Sequence, residues 1–176
     1  RRHSFPTRRS SDLLTSEQIQ EVKHEKALID EFRKLASSIQ KNSKGAVLLQ
    51  ALKKGFEKLK QLGALEKAVI FTESTRTQQY LLKILEESEY RGKVILFNGS
   101  NSDSRSKEIY KAWLHKYQGT DKITGSPSAD MRAALVEYFR NEAVILIATE
   151  AAAEGINLQF CSLIANYDLP WNPQRI

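Results

Sequence analysis

Cysteine is nearly absent from this 176-residue chain. Cys161 stands alone, so no internal disulfide can form and no zinc cluster can be built on thiolates. A lone thiol beside an apolar β-type run reads as a buried structural residue of a protein kept in a reducing compartment. Histidine is scarce too: His3, His24 and His115 lie far apart, and none sits at a metal-ligand spacing. No apolar run approaches the ~20 residues that cross a bilayer. The expected location is therefore cytoplasmic, with no membrane partner. The phosphate-gripping pattern GxxxxGK(S/T) is missing as well. The only Gly-Lys pair, Gly92-Lys93, runs into Val94 and precedes a strand-like run instead of following one. Asp30-Glu31 is the nearest thing to an acidic metal-binding pair, but no apolar strand leads into it. Nothing resembles a nucleophile elbow for Ser/His/Asp chemistry.

Charge is present but unevenly placed. The formal net charge is +6, yet residues 67–176 hold thirteen basic side chains against thirteen acidic ones. The excess lies earlier, with four Arg against one Asp in residues 1–13 and ten basic against seven acidic in residues 14–66. Bulk charge thus argues only weakly for a polyanionic partner. Residues 1–13, RRHSFPTRRSSDL, have no periodicity and no apolar segment after the arginines, which excludes a signal peptide. They read as a disordered, non-native, adapter-like leader.

From residue 14 to 66 the pattern is helical. Ile19, Val22, Ile29, Phe32, Ala36 and Ile39 recur at helical steps behind a capping Ser16, and Leu48, Leu52, Phe56 and Leu59 mark a second helix ending near Gly63. This basic pair reads as a helical hairpin in front of the main domain, either solvated or touching nucleic acid. From Lys67 onward apolar β-type runs alternate with helices: 68–71, 94–97, 144–148 and 163–167 as strands, with helices over 78–87, 104–117 and 129–140. That alternation predicts an α/β fold built on a parallel sheet flanked by helices. Residues 100–130 form an irregular unit with one helix and a Gly/Ser/Thr-rich loop, read as a helical insertion that packs on or caps the domain.

Each strand ends in a small polar cluster: Thr72-Glu73-Ser74, Asn98-Gly99, Thr149-Glu150 and Asp168. In parallel α/β sheets ligands bind outside the carboxyl strand ends, where backbone N–H groups converge. Hydroxyl and amide side chains beside glycines suit phosphate contacts, although each cluster alone is also an ordinary helix cap.

The blocks KAVIFTES (67–74), Asn98-Gly99, 132–139, TEAAAEGIN (149–157) and Trp171-Asn172-Pro173 resemble the second RecA-like lobe, the C-terminal domain, of superfamily-2 helicases. The spacing looks closest to bacterial Swi/Snf-type translocases. The resemblance implies a lobe over 67–176, truncated at both ends relative to a parent that uses ATP and Mg²⁺. It implies contacts to DNA, or RNA, through Thr72, Glu73, Ser74, Asn98, Gly99, Arg132, Thr149 and Glu150, and an ATP-facing segment at Glu154, Gly155 and Asn157. The family's motif VI arginines would follow the helix opened by Asn172-Pro173. Arg175 does not match one, so no catalytic residue is expected here. The chain alone is expected to be inactive, and the partner it implies is an N-terminal RecA-like lobe. The link of about thirty residues between the Asn98-Gly99 loop and Arg132 departs from the family's short one. A reading from another class stays open: a non-enzymatic α/β module that docks a phosphorylated ligand or a protein at the same edge.

Overall fold

The computed structural model of the chain describes residues 15–38, 43–153 and 155–168, with side chains for all of these except 36–38, 150 and 151. In order the elements are α1 (Ser16–Ser38), α2 (Ser43–Gln61), β1 (Ala68–Thr72), α3 (Thr75–Glu86), β2 (Val94–Phe97), α4 (Ser104–Lys116), α5 (Pro127–Asn141), β3 (Ile145–Thr149), α6 (Glu150–Ala153) and β4 (Leu163–Asn166). The four strands are parallel and lie in the order β2-β3-β1-β4. Parallel sheets need both faces covered, which is why β2 and β3 read as continuous apolar runs instead of alternating ones.

The two faces nevertheless sort by the period of two that any strand imposes. Ala68, Ile70, Val94, Leu96, Ile145 and Ile147 point into one core with Leu48, Leu52 and Phe56 of α2 and Leu81 and Leu85 of α3. Val69, Ile95, Phe97, Leu146 and Ala148 point into the other, with Ile109 and Trp113 of α4 and Leu135 and Phe139 of α5. This is the α/β sheet flanked by helices that the strand and helix alternation predicts.

Two boundaries differ from the pattern-based expectations. The chain divides into two compact units at residues 42/43, not at 66/67. Apolar spacing alone puts α2 in a leading hairpin, whereas its Leu48, Leu52 and Phe56 are buried in the core of the sheet. Described by itself, α1 shows Ile19, Val22, Ile29 and Phe32 between 41% and 65% exposed, so its apolar stripe is open. Its cap is Thr15, not Ser16: the Thr15 Oγ1 accepts from the Gln18 N–H, and the Gln18 side chain accepts from the Thr15 N–H, a reciprocal capping box. The segment 100–130 packs on the lobe, one of the two placements expected of it: α4 buries Ile109 and Trp113 under the sheet beside α5. Cys161 is half-buried; its thiol donates to the Lys67 and Leu163 carbonyls, and burial pushes its pKa up. The leader 1–13, Glu154 and residues 169–176, with the Trp171-Asn172-Pro173 block and Arg175, lie outside the described residues.

Candidate functional site

β1 and β3 are neighbours whose last residues, Thr72 and Thr149, stand opposite each other in register. Past these two threonines the chain leaves to opposite faces. α3 follows Thr72 and packs Leu81 and Leu85 into the first core; α6 follows Thr149 and packs Ala152 into the second. Where adjacent parallel strands part in this way a crevice opens at their carboxyl ends, the usual ligand position in such sheets. Two of the four polar clusters thus meet at one point for a topological reason, which their separation in sequence does not show.

The side chains at this edge are largely engaged with one another. Thr72 is 2% exposed, and its hydroxyl donates to the Asp168 carboxylate over 2.5 Å. The same carboxylate oxygen accepts the Glu73 N–H at 3.2 Å, and the other oxygen lies 3.5 Å from the Lys44 ammonium. Asp168 therefore ties the ends of β1 and β4 to the start of α2. Lys44 also stands 4.1 Å from the centre of the Tyr167 ring. Burial, then Tyr80 and Asp168, push the Tyr167 phenol up in pKa, so it meets that cation uncharged. Ser74 is the N-cap of α3, accepting from the Arg76 N–H, while Glu73 is exposed. Thr149 is buried at the end of β3. Glu150 opens α6, and its side chain is not described.

Beyond β2 the chain turns tightly. The Asn98 side-chain oxygen accepts from the Ser100 and Asn101 N–H groups, and the Asn101 side chain accepts from the Asn98 N–H. Asn101 holds φ +44°, a left-handed geometry that Asn tolerates better than most residues. Gly99 is exposed at the top, and a Cβ built there would meet nothing within 4 Å. Arg132 projects from α5 across the Phe97 ring, 5.3 Å from its centre, and donates to the Ala152 carbonyl at 2.8 Å. It thus reaches the end of α6. Gly155 follows at φ +76°, open to solvent, and the exposed Asn157 accepts from the Gln159 N–H.

Asp168 and Gln78 are the two residues at this edge whose work the sequence hides. Asp168 is visible as a polar strand end, but nothing local names Thr72 as its partner. The signal for Gln78 was available: it continues the inward stripe of Leu81 and Leu85, where an amide is out of place unless it is bonded.

Among the described residues no group of three or more His, Cys, Asp or Glu converges as a metal site, and no helix is long and apolar enough to cross a membrane.

A parallel four-stranded sheet with helices on both faces and polar residues at its carboxyl edge defines the class: a RecA-like α/β lobe. Residues 76–176 match the helicase conserved C-terminal domain, and with more than half of its length covered the chain belongs to that family. Among curated relatives it is 31% identical over 175 residues to an uncharacterized ATP-dependent helicase, YqhH, of Bacillus subtilis (strain 168), covering 86% of this chain and 31% of the relative. It is 33% identical over 115 residues to the ATP-dependent RNA helicase RhlB of Actinobacillus succinogenes, covering 65% of this chain and 27% of that protein. It is 32% identical over 93 residues to the ATP-dependent RNA helicase ROK1 of Yarrowia lipolytica, covering 52% and 17%. The chain thus spans about a third or less of the length of these relatives.

Proposed function

We propose that this chain is the C-terminal motor lobe of an ATP-dependent nucleic-acid helicase or translocase, and that its carboxyl edge grips one polynucleotide backbone. The observation that carries the reading is the Thr72–Thr149 register pair, from which the chain departs to opposite faces. Ser74, Gly99 and Thr149 offer hydroxyl and backbone groups to phosphates, with Glu73 and Glu150 flanking them. Thr72, Asn98 and Arg132 act from behind, holding the loops and α6 in place through the bonds described above. The relatives' names include RNA helicases, so the proposed ligand is a nucleic-acid strand and not DNA alone. The Swi/Snf-type affiliation is part of the proposal and rests on the spacing of the blocks; one of them, Trp171-Asn172-Pro173, lies outside the described residues.

ATP belongs to the same proposal. Exposed Gly155 and Asn157 fit an edge contact to a nucleotide from this lobe. The described donor set does not fit a full grip on a triphosphate with Mg²⁺: no group of three or more His, Cys, Asp or Glu converges among the described residues. In the parent enzyme ATP would close two lobes on the strand, with this edge as one jaw. The chain by itself is expected to turn over no ATP, and a malachite-green assay showing turnover would refute that.

The test is fluorescence anisotropy of a labelled single-stranded oligonucleotide against the whole chain. Log K should fall linearly with log salt, at a slope of about −0.7 per phosphate neutralised. Thr149→Val should weaken binding about 2–10-fold, the worth of one hydrogen bond. Absence of salt-dependent binding would overturn the reading and favour an α/β module for a protein or a small phosphorylated ligand.

A further inference from the structure

Gln78 lies in the second turn of α3, is fully buried, and sits among apolar side chains where an unpaired amide would be costly. Its amide is fully engaged. Nε2 donates to the Phe97 carbonyl at 3.1 Å and to the Ile147 carbonyl at 2.7 Å, and Oε1 accepts from Asn98 Nδ2 at 3.0 Å. The amide's orientation follows from chemistry, because carbonyls only accept and the NH₂ end must face them. The two carbonyls belong to adjacent strands, β2 and β3, at their carboxyl ends, and Ile147 is two residues before Thr149. The Asn98 amide in turn holds the Ser100 and Asn101 N–H groups. One side chain thereby joins α3, the turn after β2 and the end of β3.

We infer that Gln78 is a positioning residue, which sets the Asn98–Asn101 turn against the Thr149 strand end so that both present to one backbone. The inference rests on the proposed nucleic-acid reading for its functional half. No other residue type meets the geometry. Glu lacks the two donors, Asn is one methylene too short, and Leu or Met fills the space but leaves both carbonyls and the Asn98 amide without this partner.

The experiment compares three variants of the whole chain with wild type, at a temperature where circular dichroism shows each folded. Gln78→Met removes the amide. Asn98→Asp keeps an oxygen that can hold the turn and replaces the donor to Gln78 with a carboxylate oxygen that cannot donate and is repelled by Gln78 Oε1. Val94→Ala, at the far end of β2, serves as a control for lost stability. Backbone hydrogen exchange across residues 98–101 should accelerate several-fold in Gln78→Met and in Asn98→Asp but not in Val94→Ala. Affinity for a labelled single-stranded oligothymidylate should fall about 2–10-fold in Gln78→Met and stay at the wild-type value in Val94→Ala.

Unchanged exchange in the turn overturns the inference, as does equal acceleration in Val94→Ala. Faster exchange with wild-type affinity overturns its functional half. If wild type binds no oligonucleotide, it is the nucleic-acid reading that fails, and exchange still decides whether Gln78 positions the turn. If Gln78→Met does not fold, Asn98→Asp, at a half-exposed position, decides the same point.

Discussion

Tyr90 lies in the turn after α3, buried against Phe56 of α2 with ring centres 5.5 Å apart. Burial, and then the nearby carboxylates of Glu89, Glu57 and Glu66, push its phenol from 10.0 up to about 12. The unfolded chain therefore releases this proton near pH 10, while the folded chain keeps it until about pH 12. Stability from this residue is fully present below pH 10 and is lost as pH rises through that window, by on the order of 2 kcal/mol. Tyr90→Phe should flatten the fall of urea-unfolding free energy between pH 10 and 12 relative to wild type. Parallel curves for the two proteins would contradict the assignment. Lys67 behaves in the opposite sense: burial lowers its pKa, although its ammonium donates to the Phe139 and Ala143 carbonyls. Its unfavourable contribution is relieved as pH rises, which is why the Tyr90 effect is read as a difference between variants.

Among the elements, α4 and α5 share an apolar core and are also joined through one carboxylate. Glu137 of α5 accepts from Trp113 Nε1 at 3.2 Å, from the Tyr117 hydroxyl at 2.7 Å and from the Lys116 ammonium at 2.7 Å; Lys122 stands 3.8 Å away. Burial alone would raise its pKa, but the hydrogen bonds from Lys116, Tyr117 and Trp113 outweigh it and hold the carboxyl below its ordinary range. In the first turn of α5, Asp130 accepts the Thr124 N–H and hydroxyl, so its pKa is lowered too. Both contributions are present above the ordinary carboxylate range and are lost as pH falls through the folded values. Glu137→Ala should cost about 1–3 kcal/mol in thermal or urea unfolding at neutral pH, the worth of hydrogen bonds to a charged group. It should also shrink the difference from wild type as the solution is acidified. A variant as stable as wild type at pH 7 would show that α4 docks through Ile109 and Trp113 alone.

For the molecule as a whole, the governing fact is that α2 packs with α3 into the core on the sheet's first face. Leu52 is 1% exposed, and Leu48 and Phe56 are nearly as buried. Removing α2 would take Leu48, Leu52 and Phe56 out of the core they share with Ile70, Leu81 and Leu85 and leave apolar surface uncovered there. A chain starting at Ser43 should keep a single cooperative thermal transition. One starting at Lys67, the boundary that composition and apolar spacing suggest, should lose it and bind a hydrophobic dye. Equal cooperativity in the two chains would return α2 to the role of a dispensable leader.

What the sequence determined by itself is the set of parts. Apolar β-type runs of four or five residues between amphipathic segments place β1, β2, β3 and β4 to within a residue or so. The first three are apolar because both their faces are covered, whereas β4, expected to be buried, is an edge strand with Ile164 exposed. The small polar residues closing each run mark the edge where a ligand would sit, and the order of those blocks carries the helicase resemblance. Tertiary structure decided how the parts are joined. The insertion of β3 between β1 and β2, the opposed Thr72 and Thr149, the burial of α2, and the partners of Thr72, Gln78 and Asp168 all depend on pairings across long stretches of chain. Thr72 and Asp168 are 96 residues apart, and Gln78 and Ile147 are 69 apart. A hydroxyl or an amide has the same local signature whether it faces solvent or a buried carbonyl. Only packing chooses between them, by making the unpaired alternative too costly.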